Sequence, residues 1–264
     1  MAYLKIYSMK GGNKKMKTFD YKQFYDKVGK MNGWDFSKVK CRSEGLKWDL
    51  YHEVMKNCKK SDLLLDIGTG GGEAILKIAD SALLLVGIDQ SANMVETAVS
   101  NGAAAGMPNV RFLQMNAEKL DFPDRFFHIA SCRHSPFCAK ELSRVLVDDG
   151  IFLTQQVSEN DKQNIKEAFE RGQTYGTPAG TLRQQYISEL RSAGFTDIQS
   201  FEYQVTEYYQ TAEDLIFLLK HTPIIPDFGH QASDFQILQQ FIADNQCAKG
   251  IKTNAARFGI IAKL

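Results

Sequence analysis

Leu63-Leu64-Leu65-Asp66-Ile67-Gly68-Thr69-Gly70-Gly71-Gly72-Glu73 decides the reading of this 264-residue chain. An apolar run closes on an acid and then breaks into four glycines within five positions. The run suits one buried strand, and Ala74-Ile75-Leu76-Lys77-Ile78-Ala79 beyond it has helical spacing. Glycine permits a tight turn and carries no side chain to hold a ligand off the backbone. A strand, a glycine turn and a helix N-terminus together form a nucleotide-type cradle. The spacing restricts which nucleotide. A dinucleotide fingerprint needs glycines at its first, third and sixth positions. Counted from Gly68 the sixth is Glu73, and counted from Gly70 it is Ile75. The register that fits is acid-x-Gly-x-Gly-x-Gly, through Asp66, Gly68, Gly70 and Gly72.

Further segments follow in order. Residues 82–89 read as a second buried strand ending in Asp89, twenty-one residues after Gly68. An acid near that spacing can accept hydrogen bonds from both hydroxyls of a ribose. Val110 to Met115 is a third strand, with Asn116-Ala117-Glu118 after it. Phe126 to Cys132 is a fourth, followed by Arg133-His134. Residues 141–153 read as helix, turn and fifth strand. A helix over 183–193 stops at Gly194, as a C-cap would. Residues 197–205 then give a sixth strand, and 257–263 a seventh.

This ordered set resembles the class I S-adenosylmethionine (SAM)-dependent methyltransferases, over about residues 60–205 plus the last strand. The resemblance implies an α/β, Rossmann-like fold: a seven-stranded, mostly parallel sheet with helices on both faces. It implies SAM as the cofactor. It places Asp66, Gly68 and Gly70 on the methionine side, Asp89 at the ribose, and Asn116 with Ala117 at the adenine. Thr69, Gly72, Gln90 and Met94 join the cofactor contacts. The family commonly has an acid where Asn116 stands; the amide carbonyl can still accept from the adenine amino group. Arg133 falls where the family lines the junction of cofactor and acceptor. His134 is the candidate general base, since an imidazole titrates near neutrality; a loop histidine bonded to backbone is the competing reading. Tyr25, Trp34 and Arg42 are candidates for substrate binding, and Arg42 also for the methionine carboxylate.

Composition agrees with a globular α/β domain: 44% hydrophobic and 24% charged residues, and no apolar run long enough for a membrane helix. The first residues lack the apolar core of a secretory signal. Five cysteines, odd in number and without a CxxC pair, suit reduced thiols in a cytoplasm. The net charge of +1 conceals a split. Residues 1–60 carry fifteen Lys/Arg against six Asp/Glu, and the remainder seventeen against twenty-five. A basic arm can mark a nucleic-acid footprint, or be a solvated extension. The expected organisation is a basic N-terminal extension over 1–19 and one domain over 20–264. Within that domain 20–59 is a helical cap, 60–205 the SAM-binding core, 206–254 a helical lid and 255–264 the last strand. Cap and lid are expected to meet over the C-terminal edge of the sheet, where open α/β sheets bind ligands.

Two constellations are set aside. Cys132-x-His134-x-x-x-Cys138 lacks a fourth ligand and begins inside a strand, so no metal is expected. His134-Ser135-Pro136-Phe137 shares only its proline and aromatic with the Asn-Pro-Pro-aromatic motif of nucleic-acid amino-methyltransferases. The expected activity is methyl transfer to a small molecule. An rRNA or tRNA methyltransferase using the basic region is the alternative, and a SAM-binding protein without transfer activity is a second.

Overall fold

Runs of consecutive buried residues, Leu64 to Ile67 and Leu85 to Ile88 among them, form the centre of one sheet. The computed structural model describes residues 39–45 and 48–264. Its strands are β1 (Cys41–Glu44), β2 (Leu63–Ile67), β3 (Leu84–Asp89), β4 (Val110–Gln114), β5 (Phe127–Arg133), β6 (Leu146–Val157), β7 (Asp197–Tyr209), β8 (Gln246–Cys247) and β9 (Gly250–Lys263). They run β1-β7-β9-β6-β5-β2-β3-β4, with β8 paired to β9 alone. The β4-β3-β2-β5-β6 half is parallel. Strand β9 is antiparallel to both β6 and β7, and β1 is antiparallel to β7.

The helices are α1 (Leu50–Asn57), α2 (Ala92–Ala105), α3 (Ala139–Val145), α4 (Gln163–Phe169), α5 (Thr181–Ser192), α6 (Ala212–His221) and α7 (Asp234–Asn245). One sheet face buries Leu65, Ile67, Ala130, Phe152 and Phe258 against α3 and α5. The other buries Leu64, Leu85, Ile129 and Leu153 against Leu50 and Val54 of α1 and against Ile75 and Ile78. Cover on both faces explains why the parallel strands read as unbroken apolar runs rather than alternating ones.

Several elements differ from the sequence reading. Among the described residues the sheet has nine strands, because β1 and the two-residue β8 join the expected seven. The sixth strand runs four residues further, to Tyr209, and the last begins at Gly250. The helix expected over 74–79 is a 3₁₀ helix, Ile75–Ser81. The basic segment 1–19, most of the 20–59 segment, Tyr25 and Trp34 lie outside the described residues.

The insertion between β7 and β9 builds a separate apolar cluster. Leu215, Leu219, Ile224, Ile225, Phe228, Leu238 and Phe241 pack with Ile165 and Phe169 of α4 and with Tyr209 and Ile251 on the outer ends of β7 and β9. Helix α6 starts on a capping box, Thr211 with Asp214. This packing sets the insertion on the β7–β9 side; the strand order puts β2 and its glycine turn three positions from β9.

Candidate functional site

The glycine turn follows β2 with Gly68, Gly70 and Gly72 all at positive φ, at 71°, 58° and 78°. Two of them make room for the protein's own side chains. A Cβ on Gly68 would lie 2.3 Å from Ser135 Cβ, and one on Gly72 would lie 2.8 Å from the Phe112 ring. The same ring would stand 2.7 Å from a Cβ on Gly87 and 3.2 Å from one on Gly102. Phe112 thus sits in a socket of three glycines from the turn, β3 and α2. At Gly68 and Gly72, then, the bare backbone makes room for Ser135 and Phe112.

Asp89 holds the turn in place. Its carboxylate accepts from the Gly70 N–H at 3.1 Å and from the Ser91 N–H at 2.9 Å. Ser91 in turn caps α2 by accepting from Met94 N. Gln90 stays partly exposed, whereas Met94 is fully buried in α2. Asp66 is buried on β2, and the Ser131 hydroxyl on the adjacent strand donates to it at 2.6 Å. Burial raises the Asp66 carboxyl to about 6, with the Ser131 bond pulling the other way. Beside it the buried Thr69 hydroxyl acts on the Asp66 carboxyl in the same direction as Ser131.

Asn116 is exposed beyond β4, and its carbonyl accepts from Glu118 N at 2.9 Å. One lone pair expected for an adenine is therefore engaged in a local turn. Ala117 packs on the edge of the core. Behind this loop Arg144 donates to Leu120 O at 2.6 Å, to Phe122 O at 2.7 Å and to Asp124 at 2.8 Å, which fixes residues 120–124.

At the end of β5, Arg133 lies 5.8 Å over the Tyr51 ring. It makes no ion pair among the described residues. His134 follows at φ 55°, a left-handed conformation that costs a non-glycine residue energy and concentrates at functional sites. Its Nε2 is 2.9 Å from the Gln155 amide nitrogen, which can only donate, so the imidazole accepts there. Surrounding protein, and then the charges of Arg257 and Arg133, hold the His134 pKa well below the ordinary histidine range. The lone pair a general base would use is already engaged by Gln155.

Arg42 is not brought to this place. It sits on β1, five strand positions from β2, and pairs with Glu44 at 3.2 Å. An isolated cation ahead of the first strand carries no sign of which edge it joins, and β1 was not legible as a strand.

A group of charges beyond the end of β6 escaped the sequence reading. Lys162, 2% exposed, is bonded to Glu207 and donates to Thr253 at 3.0 Å. Tyr209 donates to Glu207 at 2.8 Å, and Arg257 is paired with Asp161. Burial would raise the Glu207 carboxyl, but Lys162 and Arg257 outweigh it and hold it below the usual glutamate value. Strand register joins this group to the β5 end. Arg133 faces Gln155, Gln155 faces Gly259, and Gly259 faces Phe201; one row outward, Val157, Arg257 and Tyr203 are partners. Directly opposed residues project on one face of a sheet, so these rows share a face. Alternate polar residues inside β7 and β9 were the available signal, yet nothing local told which partner each would meet.

Comparison with known proteins adds the following. Residues 64–150 match a family described as methyltransferase domain. An uncharacterized methyltransferase of Bacillus subtilis, YcgJ, is 38% identical over 103 residues, 36% of this chain and 41% of that protein. A ubiquinone/menaquinone biosynthesis C-methyltransferase of Stutzerimonas stutzeri is 26% identical over 144 residues, 47% of this chain and 52% of that protein. The chain thus spans about half or less of the length of these relatives. The crystal structure of YcgJ superposes with a TM-score of 0.56 at 22% identity, covering 80% of this chain and 96% of that one. The [4+2]-cyclase SpnF superposes at 0.55 and 19% identity, covering 90% and 94%. Likeness at such identities concerns the fold.

Proposed function

Because the chain carries a class I SAM-dependent methyltransferase domain, we propose that the whole protein transfers a methyl group from SAM to a small-molecule acceptor. The observation that carries this reading is the acid-flanked glycine turn, tied to Asp89 through the Gly70 N–H, with the buried Thr69 hydroxyl beside Asp66. These residues fit the cofactor. Asp66, Gly68, Thr69, Gly70 and Gly72 would hold its methionine side, Asp89 with Gln90 its ribose, and Asn116 with Ala117 its adenine. Met94 would support the ribose wall from within α2, and Arg133 would stand where cofactor and acceptor meet.

When bound, SAM supplies a sulfonium methyl already activated for attack. The protein's part is to align the acceptor with the methyl–sulfur bond and keep water away. His134 is held neutral, the state in which an imidazole can take a proton. It does so at Nε2 once the Gln155 bond opens, and otherwise orients the end of β5. We place the reaction in a cytoplasm, a reading supported by the cysteine usage; among the described residues no helix is long and apolar enough to cross a membrane.

Calorimetry with S-adenosylhomocysteine tests the cofactor site. The parent should bind it, and Asp89→Ala should bind it more weakly by about 1–3 kcal/mol, the scale of hydrogen bonds to a charged group. Absence of heat from the parent would end the reading. The basic balance of residues 1–60 favours RNA as a second acceptor class. In that case RNA affinity falls steeply with salt in a filter-binding titration, and a flat, weak response excludes it. Measured methyl transfer to any acceptor would remove the alternative of a SAM-binding protein without activity.

A further inference from the structure

We propose that the two rows of side chains across β5, β6, β9 and β7 form the acceptor subsite, and that it takes a small planar organic carboxylate. This rests on the methyltransferase reading above and deepens it.

The starting observation is Tyr203. It is 7% exposed, and its hydroxyl oxygen is buried with no hydrogen-bond partner among the described residues. A buried hydroxyl left unpaired is unfavourable, and native structures seldom tolerate one without a ligand or water to satisfy it. Register sets Tyr203 opposite Arg257, with Arg133 at the far end of the neighbouring row. The charges acting on the phenol are Arg257, Arg133 and Asp49.

The groups on this face divide by whether they are already engaged. Asp161 is bonded to Arg257, and Glu207 to Lys162 and Tyr209. Asp49 accepts from His52 N as the cap of α1. Each of these acids thus already accepts a hydrogen bond. The Tyr203 hydroxyl has no partner among the described residues and Arg133 makes no ion pair among them, and a guanidinium can only donate. A ligand here must bring acceptor oxygens. The planar fork of an arginine matches a carboxylate in two parallel bonds.

The walls suggest the rest of the molecule. Trp48 meets Phe201 edge-on at 5.0 Å between ring centres and lies 6.5 Å from the Tyr203 ring. Phe201 lies across Gly259, where a Cβ would come within 2.5 Å of its ring. Tyr51 carries Arg133 on its face. Three flat aromatic surfaces beside two donors favour a flat body with an anionic end.

The test uses the full chain saturated with S-adenosylhomocysteine, with salicylate as probe and salicylamide as its neutral counterpart. By calorimetry salicylate should bind at least about tenfold more tightly than salicylamide, the scale of a charge-assisted pair. Tyr203→Phe keeps the ring against Trp48 and Phe201 and removes only the hydroxyl. It should weaken salicylate about five- to tenfold with S-adenosylhomocysteine affinity unchanged. Arg133→Gln should erase the preference for the anion. Equal affinity for the two probes, no salicylate heat on the saturated protein, or a Tyr203→Phe variant that binds salicylate like the parent would overturn the proposal while leaving the cofactor site intact. If S-adenosylhomocysteine itself does not bind, the methyltransferase reading falls first and this subsite with it.

Discussion

Replacing Gly68 by alanine separates backbone strain from crowding at the turn. Gly68 has φ 71°, so any Cβ enters the left-handed region, at a cost of about 1–2 kcal/mol. That Cβ would also lie 2.3 Å from Ser135 Cβ and 2.4 Å from its hydroxyl oxygen, against an ordinary carbon contact of about 3.5–4.0 Å. Ser135 cannot simply retreat. Its carbonyl accepts from Cys132 Sγ at 3.0 Å and from Gln156 Nε2 at 2.8 Å, which pins the loop after β5. Crowding of this kind costs about 1–3 kcal/mol. Gly68→Ala should therefore lose about 2–5 kcal/mol in urea unfolding followed by circular dichroism, read from the midpoint and slope. Adding Ser135→Gly removes the colliding Cβ and should recover the crowding part, leaving the loss from φ. The cycle isolates the contact as long as Ser135→Gly alone is nearly neutral. A Gly68→Ala variant within about 0.5 kcal/mol of the parent, the scatter of ordinary surface changes, would refute the reasoning. So would a double variant no more stable than the single.

Three further outcomes are expected. The buried Asp66 carboxyl titrates at about 6 against an ordinary 3.8. The folded state therefore holds the proton more tightly, and stability contributed by this group falls as pH rises across that window, by about 3 kcal/mol in all. Asp66→Asn should abolish that slope in pH-resolved melting; an unchanged slope would put its origin elsewhere. Lys162→Met leaves Glu207 buried without its main partner and should cost about 3–5 kcal/mol, much of it recovered by Glu207→Gln in the same chain; a neutral single variant would show the pair to be solvated. Gly87→Ala would bring a Cβ to 2.8 Å from Thr69 Oγ1 as well as into the Phe112 ring, so S-adenosylhomocysteine affinity should fall together with stability. Unchanged affinity would mean the turn is insulated from its socket.

The parts of this molecule that depend on near neighbours in the chain were open to reading from the residues. Apolar runs at 63–67, 84–89 and 127–133 became the parallel centre of the sheet. They could be recognised because burial on both faces leaves no polar alternation to confuse them. The acid-glycine register and the acid ending the next strand were equally visible, since a positive φ and a strand-end carboxylate leave local marks. Element ends were less secure. Residues 75–81 take the 3₁₀ form where the apolar spacing indicated only a helix, and the added β1 depends on an edge that β7 offers to it.

Tertiary structure alone decided which side chains meet. Lys162 reaches Thr253 across 91 residues, and Asp161 reaches Arg257 across 96. It also assigned the space over Gly68 to Ser135, seated three neighbouring glycines around Phe112, carried Arg42 to the far edge, and buried the Tyr203 hydroxyl facing Arg257. The physical reason is the same in each case. Local sequence governs φ, ψ and the alternation of faces, whereas strand order and register, set by packing of the whole sheet, govern which residue lies across from which.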